Sequence, residues 1–150
     1  MPNHCCNSLV MSADTLPVII KNYIRKDGRG EEIFDFELIE PVGDIPGWYE
    51  KRLEKWGTKW IGYDISISDS SIEFLTAWSP PLPIIRKLAE LHQDTVFRLE
   101  YYEPGAAFRG TATAQWQDGE ALLDDQCWDM TDIDFADLGF DEFLETESIE

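Results

Sequence analysis

The chain has 150 residues, 43% of them hydrophobic, and a formal net charge of −18. That length suits one domain with its own core. No run of about 18 apolar residues is present to span a membrane, and the acidic balance opposes direct contact with nucleic acid or anionic lipid. Three cysteines, two of them adjacent, argue against a disulfide framework and for a reducing cytoplasm. The opening residues show no basic stretch followed by an apolar one, so no secretory signal is expected.

NSLVMS (residues 7–12) predicts a first strand. In ADTLPVIIKNYIRK, Leu16, Ile19, Ile20, Tyr23 and Ile24 share one helical face, with Asp14 as cap and Pro17 in the first turn. EEIFDFELIEPVGDIPG reads as a short strand and then a loop, and WYEKRLEKWGTKW as a short helix stopped at Gly57. YDISISDSSIEFLTAW alternates on both sides of SDSS and predicts a hairpin. SPPLPIIRKLAELHQD predicts a second amphipathic helix, capped by Ser79, with Ile84, Ile85, Leu88 and Leu91 inward. TVFRLEYYEPG and AAFRGTATAQWQDG supply two more strands. The order fits an α+β fold: a split βαβ antiparallel sheet with two helices on one face, an insert at about residues 31–57, and an acidic C-terminal extension. Composition divides the chain into residues 1–117, expected to fold alone, and an acidic segment, 118–150.

MPNHCCNSLVMSAD resembles the MPNWCxNxLxVxG opening of the YubB-type ferredoxin-like domain family of phages, prophages and plasmids. FDFELIEP, KWGTKW with YDISIS, FLTAWSPPLPIIRKLAE and EYYEPGAAFRGTA continue the resemblance over roughly residues 1–118. It implies a ferredoxin-like fold and a mobile-element origin, and it brings no settled activity and no catalytic residues. His4 stands where the family has Trp, and Cys6 lies outside the pattern. The acidic end is the least family-like part.

His4, Cys5, Cys6, His92 and Cys127 are the ligand types zinc uses, but adjacent cysteines rarely serve one ion, so no metal is expected. Cys5 reads better as a small buried residue. A Cys–His nucleophile pair with His92 has no supporting signature, and four-cysteine cluster spacing is absent. No catalytic residue and no cofactor are therefore expected, and the protein is read as a non-enzyme. Trp56, Trp60 and Trp78 could line a groove but more simply pack the insert against the sheet. Lys51, Arg52, Lys55 and Lys59 read as solvated charges, some paired with Glu50 and Glu54, rather than a nucleic-acid patch.

Charge is unevenly placed. Residues 1–109 hold 17 acidic and 12 basic side chains, and residues 110–150 hold 13 acidic and no basic ones. Asp129, Asp132, Asp134 and Asp137 lack the spacing of a calcium loop. The aromatics argue against a solvating tail. The remaining reading is an interaction surface. Asp132, Asp134, Asp137, Asp141, Glu142 and Glu145 recur every few residues, as a phosphate ladder would. The partner-binding set is accordingly Asp129, Asp132, Asp134, Asp137, Phe140, Asp141, Glu142, Phe143 and Glu145. Charge recruits a basic partner, and the apolar residues dock the segment on its own domain and on that partner. The expected function is a phage or mobile-element inhibitor acting in the bacterial cytoplasm on a basic, nucleic-acid-handling host protein, such as a CRISPR–Cas component. The alternative is an adaptor that uses the acidic end as a partner-binding peptide.

Overall fold

Alternation decides the first element. In β1 (His4–Val10), Cys5, Asn7 and Leu9 are fully buried on one side, and His4, Cys6, Ser8 and Val10 alternate with them on the other. A computed structural model describes residues 3–129. In chain order it continues with α1 (Leu16–Tyr23), β2 (Ile24–Lys26), β3 (Glu32–Phe34), a 3₁₀ turn (Phe36–Leu38), α2 (Trp48–Lys55), β4 (Tyr63–Ile67), β5 (Ser71–Ala77), α3 (Leu82–Leu91), β6 (Phe97–Glu103), β7 (Phe108–Gln117) and β8 (Glu120–Asp129).

Both main helices start later than their sequence signals suggest. Thr15, not Asp14, precedes α1, and its hydroxyl bonds Ser12 at 2.9 Å and Thr95 at 2.8 Å instead of a helix N–H. α3 starts after Pro81, whose backbone is not helical, and takes Pro83 into its first turn, where a missing N–H costs no helical bond. Ser79, the expected cap, instead donates to the Gly57 carbonyl at 2.6 Å and ties the insert to the end of β5. Leu91, expected in the buried stripe, is exposed at the last position of α3, beyond the edge of the core.

The main sheet runs β4-β5-β1-β6-β7-β8 with every neighbouring pair antiparallel. Its first four strands, with α1 after β1 and α3 after β5, are the split βαβ unit. β2 and β3 form a separate two-stranded ribbon. α1, α3 and the residues around α2 send their buried side chains into one core, where Leu16, Ile19, Trp56, Ile84, Ile85 and Leu88 meet Cys5, Leu9, Ile72 and Phe74. Gly62 bridges to Phe34, and a Cβ there would lie 2.8 Å from Phe34 Cβ and 3.0 Å from the Phe74 ring. Only glycine lets the insert lie this close to the sheet.

Composition changes at Asp118, but hydrogen bonding does not. β8 pairs with β7 in unbroken register from Gln117↔Glu120 to Phe108↔Asp129. Asp118 and Gly119 make the tight turn, with φ of 55° and 82°. The expected boundary after residue 117 thus falls inside a hairpin, and residues 120–129 are the sixth strand of the sheet. EALLDDQCWD hides this because Leu122–Leu123 and Asp124–Asp125 sit side by side and break the alternation that marks a strand.

Candidate functional site

Of the acidic partner-binding set, Asp129 is the residue within the described structure. It is exposed at the end of β8, opposite Phe108. Asp132, Asp134, Asp137, Phe140, Asp141, Glu142, Phe143 and Glu145 lie outside the described residues. What the structure shows is the strand that leads to them. β8 carries Glu120, Asp124, Asp125 and Asp129 along an exposed outer strand, where charge guards the sheet from edge-to-edge pairing. At about 3.4 Å per residue, with alternate residues on opposite faces, four carboxylates on one strand do not make a phosphate ladder.

One of them holds the strand in place. Tyr101 reaches from β6 across β7 and donates its hydroxyl to Asp125 Oδ1 at 2.6 Å. It can cross because residue 110 is glycine, since a Cβ there would collide with the Tyr101 phenol and the Gln126 carbonyl. Burial, and then the bond to Asp125, push the Tyr101 phenol far above its ordinary range, so it remains a donor at any working pH.

The histidines and cysteines are separated. His4 Nδ1 bonds the Tyr63 hydroxyl at 2.7 Å, and His92 Nε2 bonds the Tyr23 hydroxyl at 2.7 Å. Cys5 lies in the helix-side core and Cys6 on the opposite face of the sheet. Burial, reinforced by Cys6, pushes the Cys5 thiol well up, which suits an inert core residue better than a nucleophile. Burial lowers the His92 imidazole. Among the described residues, no three His, Cys, Asp or Glu side chains converge as metal ligands would.

The tryptophans divide. Trp56 is fully buried, donates Nε1 to the Glu40 carbonyl at 2.7 Å and meets Phe36 edge-on at 5.7 Å, so it packs the insert. Trp60 is half-buried beside Tyr63, and Trp78 is 47% exposed with φ of 73°. Three members of the basic cluster make contacts within the fold, and Lys55 is exposed. The Arg52 guanidinium lies 4.7 Å from the Trp48 ring and 4.8 Å from the Trp56 ring, and its Nη1 donates to the Lys59 carbonyl. Lys59 stacks on Tyr49 and Trp60, and Lys51 pairs with Glu54 at 3.5 Å.

Two features escaped the sequence. A cleft of about 580 Å³ opens between α3, the end of α2 and the β7–β8 turn. Its apolar wall is Leu82, Pro83, Trp116 and Leu123, and its charges are of both signs, with Lys55 and Lys87 near Glu54 and Glu120. Its signal would have been the Asp-Gly turn, which brings Trp116 back beside the helix. The second feature is the sheet face that carries no described helix. One cross-strand row there, Tyr63–Leu75–Cys6–Tyr102–Arg109–Trp128, crosses all six strands.

These features define a ferredoxin-like α+β domain whose sheet is extended by a hairpin, with no constellation among the described residues that marks a reaction. The model of one family, described as the ferredoxin-like domain in Api92-like protein, matches residues 55–149, and the chain belongs to that family. No curated protein and no solved structure matches the chain. The match reaches residue 149, so the acidic segment, expected to be the least family-like part, lies largely within the family's domain. Among the described residues no helix is long and apolar enough to cross a membrane.

Proposed function

We propose that this chain is a non-enzymatic inhibitor of the YubB type, encoded by a phage or other mobile element and acting in the cytoplasm of the bacterial host. It binds a basic, nucleic-acid-handling host protein, a defence component such as a CRISPR–Cas effector being the natural class, and occupies its nucleic-acid site. The observation that carries this reading is the purity of sign at the C-terminal end, where 13 carboxylates follow Arg109 without one Lys or Arg while large apolar residues recur among them. Such a field captures a basic surface quickly, and apolar anchors slow its release. The histidines and core cysteine are occupied in packing, which supports a binding role over a catalytic one.

An adaptor role is the second reading. It is favoured by the family match through residue 149, since a segment shared across a family suits a shared partner. One experiment separates the two. The full chain, immobilised in a bacterial lysate, is expected to retain a basic nucleic-acid-binding protein that an oligonucleotide releases. Asp132→Asn, Asp134→Asn, Asp137→Asn and Asp141→Asn together should abolish retention, each alone costing about 0.5–2 kcal/mol. Retention that is indifferent to both oligonucleotide and Asn substitutions supports the adaptor.

A further inference from the structure

β8 is the outermost strand of the main sheet, and its outer edge is long. Its ten residues, Glu120–Asp129, pair with β7 on one side, and among the described residues the strand order ends there. The Asp118–Gly119 turn fixes which backbone groups that pairing uses. A two-residue turn with both φ values positive closes on a hydrogen-bonded pair, here Gln117↔Glu120. Such pairs alternate along an antiparallel ladder. Glu120, Leu122, Asp124, Gln126 and Trp128 therefore turn their N–H and C=O groups to β7. Ala121, Leu123, Asp125 and Cys127 turn theirs outward.

One outward group is used within the fold, since Arg86 Nε on α3 donates to the Ala121 carbonyl at 3.1 Å. Among the described residues no hydrogen bond reaches the outward backbone groups of Leu123, Asp125 or Cys127. An open edge of this kind recruits other strands unless something deters them. Charge deters a second copy. Glu120, Asp124, Asp125 and Asp129 lie on this strand without a Lys or Arg, so two β8 strands side by side would oppose like charges. The same side chains attract a strand of opposite sign. The runs Leu122–Leu123 and Asp124–Asp125, which break the alternation, give both faces of the edge an apolar residue and then an acidic one. Tyr101 bonds Oδ1 of Asp125 and so fixes that carboxylate without neutralising it.

We propose that β8 is a docking edge for a basic strand of a partner protein, which joins the sheet as its next strand and sets two adjacent Lys or Arg residues against Asp124 and Asp125. Main-chain bonds to Leu123, Asp125 and Cys127 supply the seat, and charge selects the occupant. Adjacent residues of the incoming strand face opposite sides of the sheet, so one cation meets each aspartate. Apolar residues beside those cations meet Leu122 and Leu123. The inference deepens the inhibitor reading and rests on it for the partner's basic sign, not for the open edge.

Amide hydrogen exchange on the full chain tests it, with two short synthetic strand peptides of alternating Thr and Val, one with Lys–Arg at its centre and one with Glu–Glu. In the free chain the amides of Leu123, Asp125 and Cys127 should exchange fast, and those of Asp124 and Gln126 slowly. The Lys–Arg peptide should slow the first three at least about tenfold, and the Glu–Glu peptide should leave them unchanged. Protection at alternate residues marks strand addition, because contact through side chains alone leaves outward amides open. Cys127→Pro removes one outward N–H and spares the bonds to β7. It should weaken the Lys–Arg peptide about tenfold while Asp124 and Gln126 stay slow. Asp124→Lys should weaken that peptide about fivefold and admit the Glu–Glu one. If Cys127→Pro also speeds Asp124 and Gln126, this reversal of preference decides. No protection by the Lys–Arg peptide, equal protection by both, or slow exchange of the three amides in the free chain would overturn the proposal. So would protection that grows with the concentration of the chain alone, which assigns the edge to a second copy. If strand protection fails while an oligonucleotide still releases a basic protein held by the full chain, the docking edge is lost and the inhibitor reading stands.

Discussion

The two faces of the six-stranded sheet are built differently. One is covered by α1, α3 and the aromatic insert, and its side chains form a single core in which Phe34, Phe36, Phe74 and Trp56 meet edge-to-face at 5.1–6.4 Å. The other carries no described helix, and its longest mainly apolar row, Tyr63–Leu75–Cys6–Tyr102–Arg109–Trp128, ends in the acidic strand β8. The difference teaches that burial and charge follow separate plans here. The helix side supplies stability through close packing, and the outer strand β8 leads on along the chain into a stretch with carboxylates and no Lys or Arg.

The largest expected effect comes from truncating one leucine on each face. Leu9→Ala, in the helix-side core, should cost about 2–5 kcal/mol. Leu75→Ala, on the other face and outside that core, should cost less. Denaturant unfolding of the parent and both variants checks this. Equal costs would remove the distinction between the faces.

Gly110→Ala should come next, at about 1–3 kcal/mol. It blocks the path of Tyr101 to Asp125 and so loosens β8 from the core side. Amide exchange in β8 should rise more than in β5, and a uniform rise would show that this crossing does not anchor the acidic strand.

The smallest effect concerns pH. Burial lowers the His92 pKa from its ordinary 6.5, so the unfolded state binds more protons as pH falls through that range. The stabilisation is full above about pH 6.5 and declines as pH falls toward the folded value. His92→Gln, which retains a polar partner for Tyr23, should flatten the dependence of stability on pH between about 7.5 and 5 relative to the parent. An unchanged slope would assign that dependence to the carboxylates.

Much of the fold was legible in the sequence because the periods were clean. Ile84, Ile85 and Leu88 marked α3, and the alternation around SDSS marked the β4–β5 hairpin. β8 was not, since paired leucines and paired aspartates masked its alternation, and the Asp118–Gly119 turn lay at the point where composition changed. The helix starts were misplaced because capping depends on which partner a hydroxyl finds, and Ser79 and Thr15 find tertiary ones. Of the site, charge was legible residue by residue. The cross-strand row was not, because Cys6, Leu75, Tyr102 and Arg109 come from four strands whose register no local pattern encodes. Nor was the cleft at Trp116, which depends on that same hairpin.

The central claim is that the acidic segment presents carboxylates in place of phosphates. The most direct test is the salt dependence of binding between the full chain and the basic protein it retains. The affinity of the parent should fall steeply and linearly on a log–log plot as salt rises, and the variant with Asn at positions 132, 134, 137 and 141 should bind weakly with a much shallower slope. Equal affinity and equal slope for parent and fourfold variant would contradict the claim and leave the acidic residues a solubilising role alone.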